Sequence, residues 1–364
     1  MNLSNLISPQ NYFDEKITEI EFDKIFSKEW IFASMDDDLQ ENNAFITLNI
    51  FNYPIVLQNF RGEIKAFENI CTHRHNKIQT DTKGNRPLIC KYHNWVFDVD
   101  GAPRKNALKK YFDIENESFN CLKSFQVAKV GKFIFICLEE PKQDINQFLG
   151  PFYEKLIEIS KAINKQFYFE DDNQKINWKI IIENVIEAYH CHAIHKDTLY
   201  EMGFCSIPET NQLFYGGHSV ADYPKRNDIE MPNNVLKYLE KSILKHDSFR
   251  HFFIYPNLVI SSTEGTSIYV GNILPISAKE TKLRKRFYDI NFTNNFEPSK
   301  AIHKAFLSLV QSSINNILTE DKNLLEELQK TIKFAKNTYH LGLEETRIVD
   351  FHKKYNSQLQ CQIS

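Results

Sequence analysis

Several features that define other classes of protein are missing from these 364 residues. No segment approaches the run of about 20 apolar residues that a membrane-spanning helix needs. The first residues lack the basic stretch and apolar run of a secretory signal. No GxGxxG or P-loop motif indicates a nucleotide site, and a formal net charge of −3 offers no basic surface for nucleic acid. These absences predict a cytoplasmic protein that binds neither membranes nor nucleic acid.

The numbers of cysteines and aromatic residues indicate what the interior of the protein contains. Seven cysteines are an odd number, and they lack the spacing of a disulfide framework. Cytoplasmic thiols and metal ligands therefore fit better than disulfides. The 29 Phe and 16 Tyr supply rings for a core and for an apolar pocket. A chain of this length suggests about two domains.

The pattern along the chain changes twice. Residues 1–40 contain an amphipathic helical pattern at residues 19–33 and form a helical segment that we expect to pack on the last domain. From residue 41 to 145, short β-rich runs alternate with turn residues, which is typical of a small antiparallel β domain. From 146 to 364, strands and long helices occupy separate blocks. The sequence therefore predicts an α+β protein rather than one built from βαβ units.

Four residues with metal-binding side chains stand as two short pairs in this β-rich region. Cys71 and His73 form a C-x-H pair, and Cys90 and His93 form a C-x2-H pair. In a Rieske cluster two thiolates hold one iron and two imidazoles hold the other. A structural zinc site also uses two Cys and two His, but its usual pairs are two cysteines and two histidines. The spacing favours a [2Fe–2S] cluster over zinc.

The fragment CTHRHNKIQTDTKGNRPLICKYHNWVFDVDG resembles the signature of the Rieske non-haem iron oxygenases, in which C-x-H-R is followed by C-x2-H-G-W. Arg74 and Trp95 occupy matching positions, whereas His75 and Asn94 stand where the family usually has Gly. Asn and His are enriched among non-Gly residues with positive φ, so we expect both turns to survive. The resemblance implies a small antiparallel Rieske domain and a larger α+β catalytic domain with a central antiparallel sheet of the helix-grip type.

A second constellation lies in the stretch ENVIEAYHCHAIH. Glu187 and His190 are three residues apart and would share a helix face, and His195 joins them if the helix ends or bends between them. Two His and one carboxylate form the facial triad of non-haem Fe(II) oxygenases. The family pattern [DE]-x2-H-x4-H implies that His190 and His195 bind iron. It also implies that Glu187 links a Rieske His of one subunit to an iron-binding His of its neighbour.

The third iron ligand has to come from elsewhere in the chain. Helical patterns cover residues 298–318 and 320–336, and the resemblance places a ligating Asp near the start of the second pattern. Asp321 is the candidate, with Glu320 as the alternative ligand. Asp321 could instead be an N-cap or first-turn acid. Asn184 could donate a hydrogen bond near the open iron site or be an ordinary helix residue.

Together the two constellations imply the oxygenase component of a Rieske system. A separate reductase or ferredoxin would bring electrons from NADH, and O2 would be used to hydroxylate, dihydroxylate or oxidatively demethylate a small aromatic or quaternary ammonium molecule. The resemblance also implies a homotrimer. A Rieske electron carrier without oxygenase activity and a zinc-stabilised binding protein stay open as alternatives. The candidate pocket residues are Asn184, Phe252, Tyr255 and Tyr269. His192 is expected to be a core or hydrogen-bonded residue rather than a ligand, and Tyr189 a core residue.

Overall fold

A computed structural model describes most of the chain. The described residues are 6–104, 111–113, 119–204, 210–226, 240–293, 299–337 and 340–360. The chain divides into two compact units, one formed by Phe26–Ile145 and the other by Met1–Ile25 together with Asn146–Ser364. Within the described ranges no helix is long and apolar enough to cross a membrane.

The unit Phe26–Ile145 is built on a seven-stranded antiparallel sheet with the strand order β1-β7-β6-β4-β3-β2-β5. Its strands are β1 (Ile31–Met35), β2 (Ala44–Ile50), β3 (Tyr53–Phe60), β4 (Glu63–Glu68), β5 (Lys83–Asn85), β6 (Ser124–Val130) and β7 (Phe133–Cys137). A 3-10 helix, Asp36–Leu39, follows β1. This is the small antiparallel β unit that the alternating β-rich runs predict.

The N-terminal segment is only partly helical. Helix α1 covers Glu15–Glu21, and a π-helical turn continues it over Phe22–Phe26. The residues that follow do not extend the helix. Instead β1 pairs with β7, and all five of its residues are buried, which a strand covered on both faces accommodates. The segment 1–40 is therefore shared between the two compact units.

The other unit contains a second seven-stranded antiparallel sheet, with the order β8-β14-β13-β12-β11-β10-β9. Its strands are β8 (Ile163–Gln174), β9 (Thr210–Tyr215), β10 (His218–Pro224), β11 (Ser248–Ile254), β12 (Leu258–Thr263), β13 (Ile268–Ser277) and β14 (Glu280–Ile290). The helices after α1 are α2 (Ile145–Leu149), α3 (Phe152–Ala162), α4 (Trp178–Val185), α5 (Cys191–Ile194), α6 (Lys300–Thr331) and α7 (Thr346–Gln360). Short helical turns cover Pro9–Tyr12, Lys196–Tyr200 and Ile332–Phe334. The predicted α+β class with antiparallel sheets is confirmed.

The long helix α6 replaces the two C-terminal helices that the sequence predicts. No Pro or Gly separates residues 318 and 320, and Thr319 Oγ1 donates to the carbonyl of Asn315 within the helix instead of capping a new one. Asp321 therefore lies in the interior of a helix, so it is neither an N-cap nor a first-turn acid. Helix α6 contacts α4, β8 and the turn Lys196–Tyr200, and this packing brings Asp321 toward the predicted iron ligands.

Candidate metal centres and active site

The four predicted cluster ligands lie on two loops of similar backbone geometry, with Cys71 and His73 on one and Cys90 and His93 on the other. In the first loop the amide of His75 donates to the carbonyl of Cys71 at 2.9 Å, and in the second the amide of Asn94 donates to the carbonyl of Cys90 at 2.9 Å. His75 and Asn94 have φ values of 57° and 58°. The expectation that these turns keep their shape without glycine is confirmed, because both residues adopt the left-handed conformation.

The side chains of these loops offer an unsatisfied donor set. Cys71 and Cys90 are buried free cysteines, and burial beside Cys90 raises the pKa of the Cys71 thiol to about 11. The Nδ1 atom of His73 is buried and has no hydrogen-bond partner among the described residues. The ring centroids of His73 and His93 are 4.5 Å apart. Two neighbouring thiols and two neighbouring imidazoles fit the ligand set of a Rieske cluster.

Trp95 holds one of these imidazoles in place. Its ring stacks on His73 with a centroid distance of 4.7 Å and an interplanar angle of 3°. Phe112 and Phe119 meet the Trp95 ring edge-on at 5.6 and 5.4 Å, a favourable aromatic geometry. The Trp of the motif therefore has a physical role, since its stacking restricts the orientation of His73.

The chain around Glu187 and His190 forms a turn rather than part of a helix. Helix α4 ends at Val185. The Glu187 carboxylate accepts the backbone amides of Tyr189 and His190, so it satisfies donors that would otherwise continue a helical ladder. The prediction that both residues lie on one helix is wrong. They still face each other, because Glu187 Oε1 also contacts His190 Nδ1.

The residues His190, His195 and Asp321 meet at one point, where one potential ligand atom from each lies within 4.8 Å of the others. His195 Nε2 is 3.1 Å from Asp321 Oδ1, and His190 Nε2 is 3.6 Å from the same oxygen. Donors bound to one metal ion at about 2 Å lie about 3 Å apart. Asp321 Oδ1 is buried and lacks a hydrogen-bond donor in the described part of the chain, so the three residues fit a single metal ion.

Two glutamates orient the imidazoles from behind. Glu187 contacts His190 Nδ1, and Glu320 Oε2 accepts from His195 Nδ1 at 2.7 Å and from Thr198 Oγ1 at 3.0 Å. Both rings therefore present Nε2 toward Asp321, the arrangement in which second-layer acceptors fix the tautomer of metal-binding histidines. Burial lowers the pKa of His195, but Asp321 and Glu320 outweigh it and raise the pKa overall.

The alternative third ligand, Glu320, thus has a different place in the structure from Asp321. Its carboxylate faces Nδ1 of His195, not the Nε2 atoms that converge with Asp321. Sequence reasoning missed this contact, because the two residues are 125 positions apart. The sequence offered one signal for it. Glu320 and Asp321 are adjacent in a helical pattern, and adjacent helical residues point in different directions, so they could not occupy the same ligand position.

A cavity of about 630 Å³ adjoins the three converging residues and has a largely apolar lining. Asn184 and Tyr269 line it, as the sequence analysis proposes. Phe252 does not, because alternate residues of β11 face opposite sides of the sheet and Phe252 borders a smaller cavity of about 200 Å³ on the other side. Tyr255 packs against α7 instead, and its hydroxyl donates to Gln358 of that helix. Among the described residues, five Phe and Tyr rings line the larger cavity: Phe204, Tyr223, Phe249, Tyr269 and Phe306.

Three residues beside the converging histidines differ from expectation. His192 is exposed in the short helix α5, and Tyr189 is 59% exposed in the turn before it. Neither is a core residue. Cys191 is disulfide-bonded. The general expectation of thiols holds for Cys71, Cys90, Cys121 and Cys137, which are free, but not for Cys191.

Comparison with known families identifies the class of protein that this fold and these sites define. Residues 29–124 match the Rieske [2Fe–2S] domain, and residues 163–361 match the catalytic domain of the ring hydroxylating alpha subunit. The chain belongs to this family of Rieske oxygenases. Membership brings two metal centres, a Rieske [2Fe–2S] cluster and a mononuclear iron, and the donor sets described above fit both.

Two similar proteins are named as oxygenase subunits of monooxygenases. The glycine betaine monooxygenase oxygenase subunit of Pseudomonas aeruginosa is 31% identical over 208 residues, a match that covers 56% of this chain and 48% of that protein. The chain thus matches about half the length of that relative. The carnitine monooxygenase oxygenase subunit of Acinetobacter pittii is 27% identical over 88% of this chain and 84% of its own length. The solved structure of the quaternary ammonium Rieske monooxygenase CntA has the same fold, with a TM-score of 0.76, 22% identity and coverage of 98% and 95%.

Proposed function

We propose that this chain is the oxygenase component of a Rieske system and that it oxidises a quaternary ammonium compound. The observation that carries the proposal is the convergence of His190, His195 and Asp321 beside a cavity lined by aromatic rings. The names of the glycine betaine and carnitine monooxygenases support the substrate class. An electron carrier without oxygenase activity would have no use for such a site and cavity.

We assign His190, His195 and Asp321 to the mononuclear iron. When bound, the iron activates O2 at the coordination positions that three protein ligands leave open. The protein residues orient both imidazoles, because Glu187 and Glu320 accept their Nδ1 protons and leave each Nε2 facing Asp321. We assign the cluster to two pairs of residues on the two loops: Cys71 with His73, and Cys90 with His93.

The cavity lining suits a cation with methyl groups. A quaternary ammonium group cannot donate a conventional hydrogen bond, so aromatic faces are its usual partners. The five rings named above supply such faces, and Glu201 and Glu264 add acidic side chains to the lining. Among the described residues that line this cavity, none is a lysine or an arginine. Asn184 is buried at the cavity wall and is assigned to substrate or O2 positioning.

Electron delivery requires partners that this chain does not supply. A separate reductase or ferredoxin would carry electrons from NADH to the cluster, as the family resemblance implies. Glu187 already contacts His190 Nδ1, which supports its assignment as the acid that links this imidazole to a Rieske His of a neighbouring subunit. A homotrimer would place such a neighbour next to Glu187.

Coupled oxygen uptake tests the proposed function. The chain, reconstituted with iron and sulfide, would be supplied with NADH and a surrogate reductase and given glycine betaine, carnitine, choline and an aromatic hydrocarbon in turn. We expect oxygen uptake that matches product formation with at least one ammonium compound, and loss of that product in Asp321→Ala. Coupled turnover of the aromatic compound alone would contradict the substrate class, and NADH oxidation without product for every compound would contradict the oxygenase assignment.

A further inference from the structure

A histidine and an arginine in the wall of the cavity belong to neither metal site. His251 lies on β11, lines the larger cavity and is 5% exposed. Behind it lies Arg347, from α7, which is 1% exposed. The guanidinium donates to Ser219 Oγ at 3.0 Å and to the Tyr223 hydroxyl at 3.3 Å. Arg347 is thus held beside His251 on the same face of the sheet.

The contact between these two side chains determines the tautomer of His251. Arg347 NH2 lies 3.4 Å from His251 Nδ1 and 3.4 Å from the His251 carbonyl. A guanidinium can only donate hydrogen bonds, so Nδ1 acts as the acceptor and carries no proton. The ring proton of the neutral imidazole therefore resides on Nε2. Burial and the charge of Arg347 keep the pKa of His251 well below its ordinary value, so the ring is neutral.

The Nε2–H group is left without a protein acceptor. Among the described residues, Arg347 is the hydrogen-bonding side chain that contacts the His251 ring, and it contacts the other nitrogen. A buried polar N–H without a partner costs free energy, and His251 is one of the residues that line the cavity. The position is therefore suited to an acceptor that arrives with the ligand.

The charge of Arg347 specifies which acceptor is preferred. No carboxylate of the described residues pairs with this buried guanidinium; its partners are hydroxyl, carbonyl and imidazole groups. A buried charge without a counter-ion favours an anion nearby. Since the described cavity lining contains no lysine or arginine, the positive potential of this wall comes from Arg347 behind His251.

We infer that His251 determines substrate specificity by donating Nε2–H to a carboxylate of the substrate. This inference rests on the proposed function in assigning the cavity to the substrate, and it deepens that function. The methylated cation would lie against the aromatic rings and the carboxylate against His251. The preferred substrate class is then a zwitterion with a quaternary ammonium group at one end and a carboxylate at the other.

Three probes of similar shape test the two charged ends of the substrate separately. The first is γ-butyrobetaine. The second is butyltrimethylammonium, in which a methyl group replaces the carboxylate. The third is the carbon isostere of γ-butyrobetaine, in which a tert-butyl group replaces the trimethylammonium group. Dissociation constants would be measured by calorimetry on the anaerobic protein loaded with cluster and Fe(II), so that binding is read separately from turnover.

The variants are His251→Phe, which removes the donor, and His251→Gln, which keeps both a donor and an acceptor. We expect His251→Phe to raise the dissociation constants of the two carboxylate probes about 10- to 100-fold, as the loss of a charged hydrogen bond does. The dissociation constant of butyltrimethylammonium should be unchanged. His251→Gln should recover most of the loss. The matched control is His246→Phe, because both ring nitrogens of His246 are hydrogen-bonded, to Ser248 and Ser262, away from the larger cavity.

The outcomes distinguish this inference from the proposed function. If His251→Phe weakens the binding of all three probes equally, or of none of them, His251 is only a structural partner of Arg347 and the inference is overturned. If the two carboxylate probes bind equally well to the wild type and both depend on His251, the carboxylate site stands and the ammonium preference of the proposed function fails. An unchanged visible spectrum and iron content would show that each variant is folded.

Discussion

At the residue level, the proposed iron site depends on which ring nitrogen of each imidazole is left free to bind the metal. His190 and His195 both direct Nδ1 at a glutamate and Nε2 at Asp321. A histidine can rotate or change tautomer when its second nitrogen has no fixed acceptor. We therefore expect the two glutamates to contribute to metal affinity without touching the metal.

Replacing Glu320 tests this role. In Glu320→Gln the side chain keeps its length but loses the charge that holds His195 Nδ1–H, so Fe(II) affinity should fall about 10- to 100-fold, the usual effect of losing a second-layer partner. Anaerobic Fe(II) titration measures the change, with no turnover required.

Glu327→Gln on the same helix is the control, because Glu327 is exposed and pairs only with Lys330 among the described contacts. If both variants bind Fe(II) as tightly as the wild type, Glu320 has no part in orienting His195.

At the level of elements, the two cluster loops depend on left-handed residues that are not glycine. Asn94 has a φ of 58° and its amide closes the loop onto Cys90. Asn is tolerant of this conformation, whereas a β-branched residue is not.

We therefore expect Asn94→Gly to retain the cluster fully and Asn94→Val to lose much of it, with a loop destabilisation of about 1–2 kcal/mol. Visible absorbance per mole of protein after reconstitution measures retention. Equal absorbance in both variants would show that the backbone conformation at this position is unimportant.

Helix α1 is joined to α4 by a buried ion pair. Lys179 Nζ contacts Glu21 Oε1 at 2.5 Å, with side-chain exposures of 0% and 1%. Trp178 Nε1 and the Tyr355 hydroxyl also donate to Glu21, at 2.8 and 2.7 Å. The N-terminal segment thus fixes the helix that leads into the iron site.

Glu21→Gln should lower the free energy of unfolding by about 3–5 kcal/mol, because it leaves Lys179 buried without its counter-ion. The double variant Glu21→Leu/Lys179→Met should regain most of this loss, and Glu19→Gln, at an exposed position, should change it by less than about 0.5 kcal/mol. Urea denaturation measures all three. If Glu21→Gln were as stable as the wild type, the ion pair would have no structural role.

Features that depend on local sequence could be predicted, whereas features that depend on contacts between distant segments could not. The donor pairs at Cys71 and Cys90 could be predicted because each loop encodes its own geometry, and the α+β class follows from local strand and helix patterns. Asp321 was proposed as the third ligand only through the family resemblance. Its position beside His190 and His195, the acceptor of His195 and the tautomer of His251 depend on contacts between distant segments. A lone histidine such as His251 gives no periodic signal beyond its place on one face of a strand, so only the packing of α7 reveals its partner.

At the level of the whole molecule, the proposed function requires electrons to pass from a cluster to an iron held by different units of the fold. Glu187 is the assigned link, since its carboxylate contacts the imidazole of His190. Glu187→Gln removes the charge but keeps the size.

We expect Glu187→Gln to retain the visible spectrum of the cluster and the mononuclear iron, and to lose most coupled oxygenation because the electron path between the centres is interrupted. Iron analysis together with oxygen uptake and product measurement checks this. Normal coupled turnover in the variant would exclude Glu187 as the link.

The central claim is that one chain carries a Rieske cluster and a separate mononuclear iron. The most direct measurement is the iron and acid-labile sulfide content of the purified, reconstituted protein, compared with that of Asp321→Ala. The structure predicts a brown protein with about three irons and two sulfides per chain, and loss of one iron but no sulfide in the variant. A colourless protein that contains zinc and no sulfide would contradict the account.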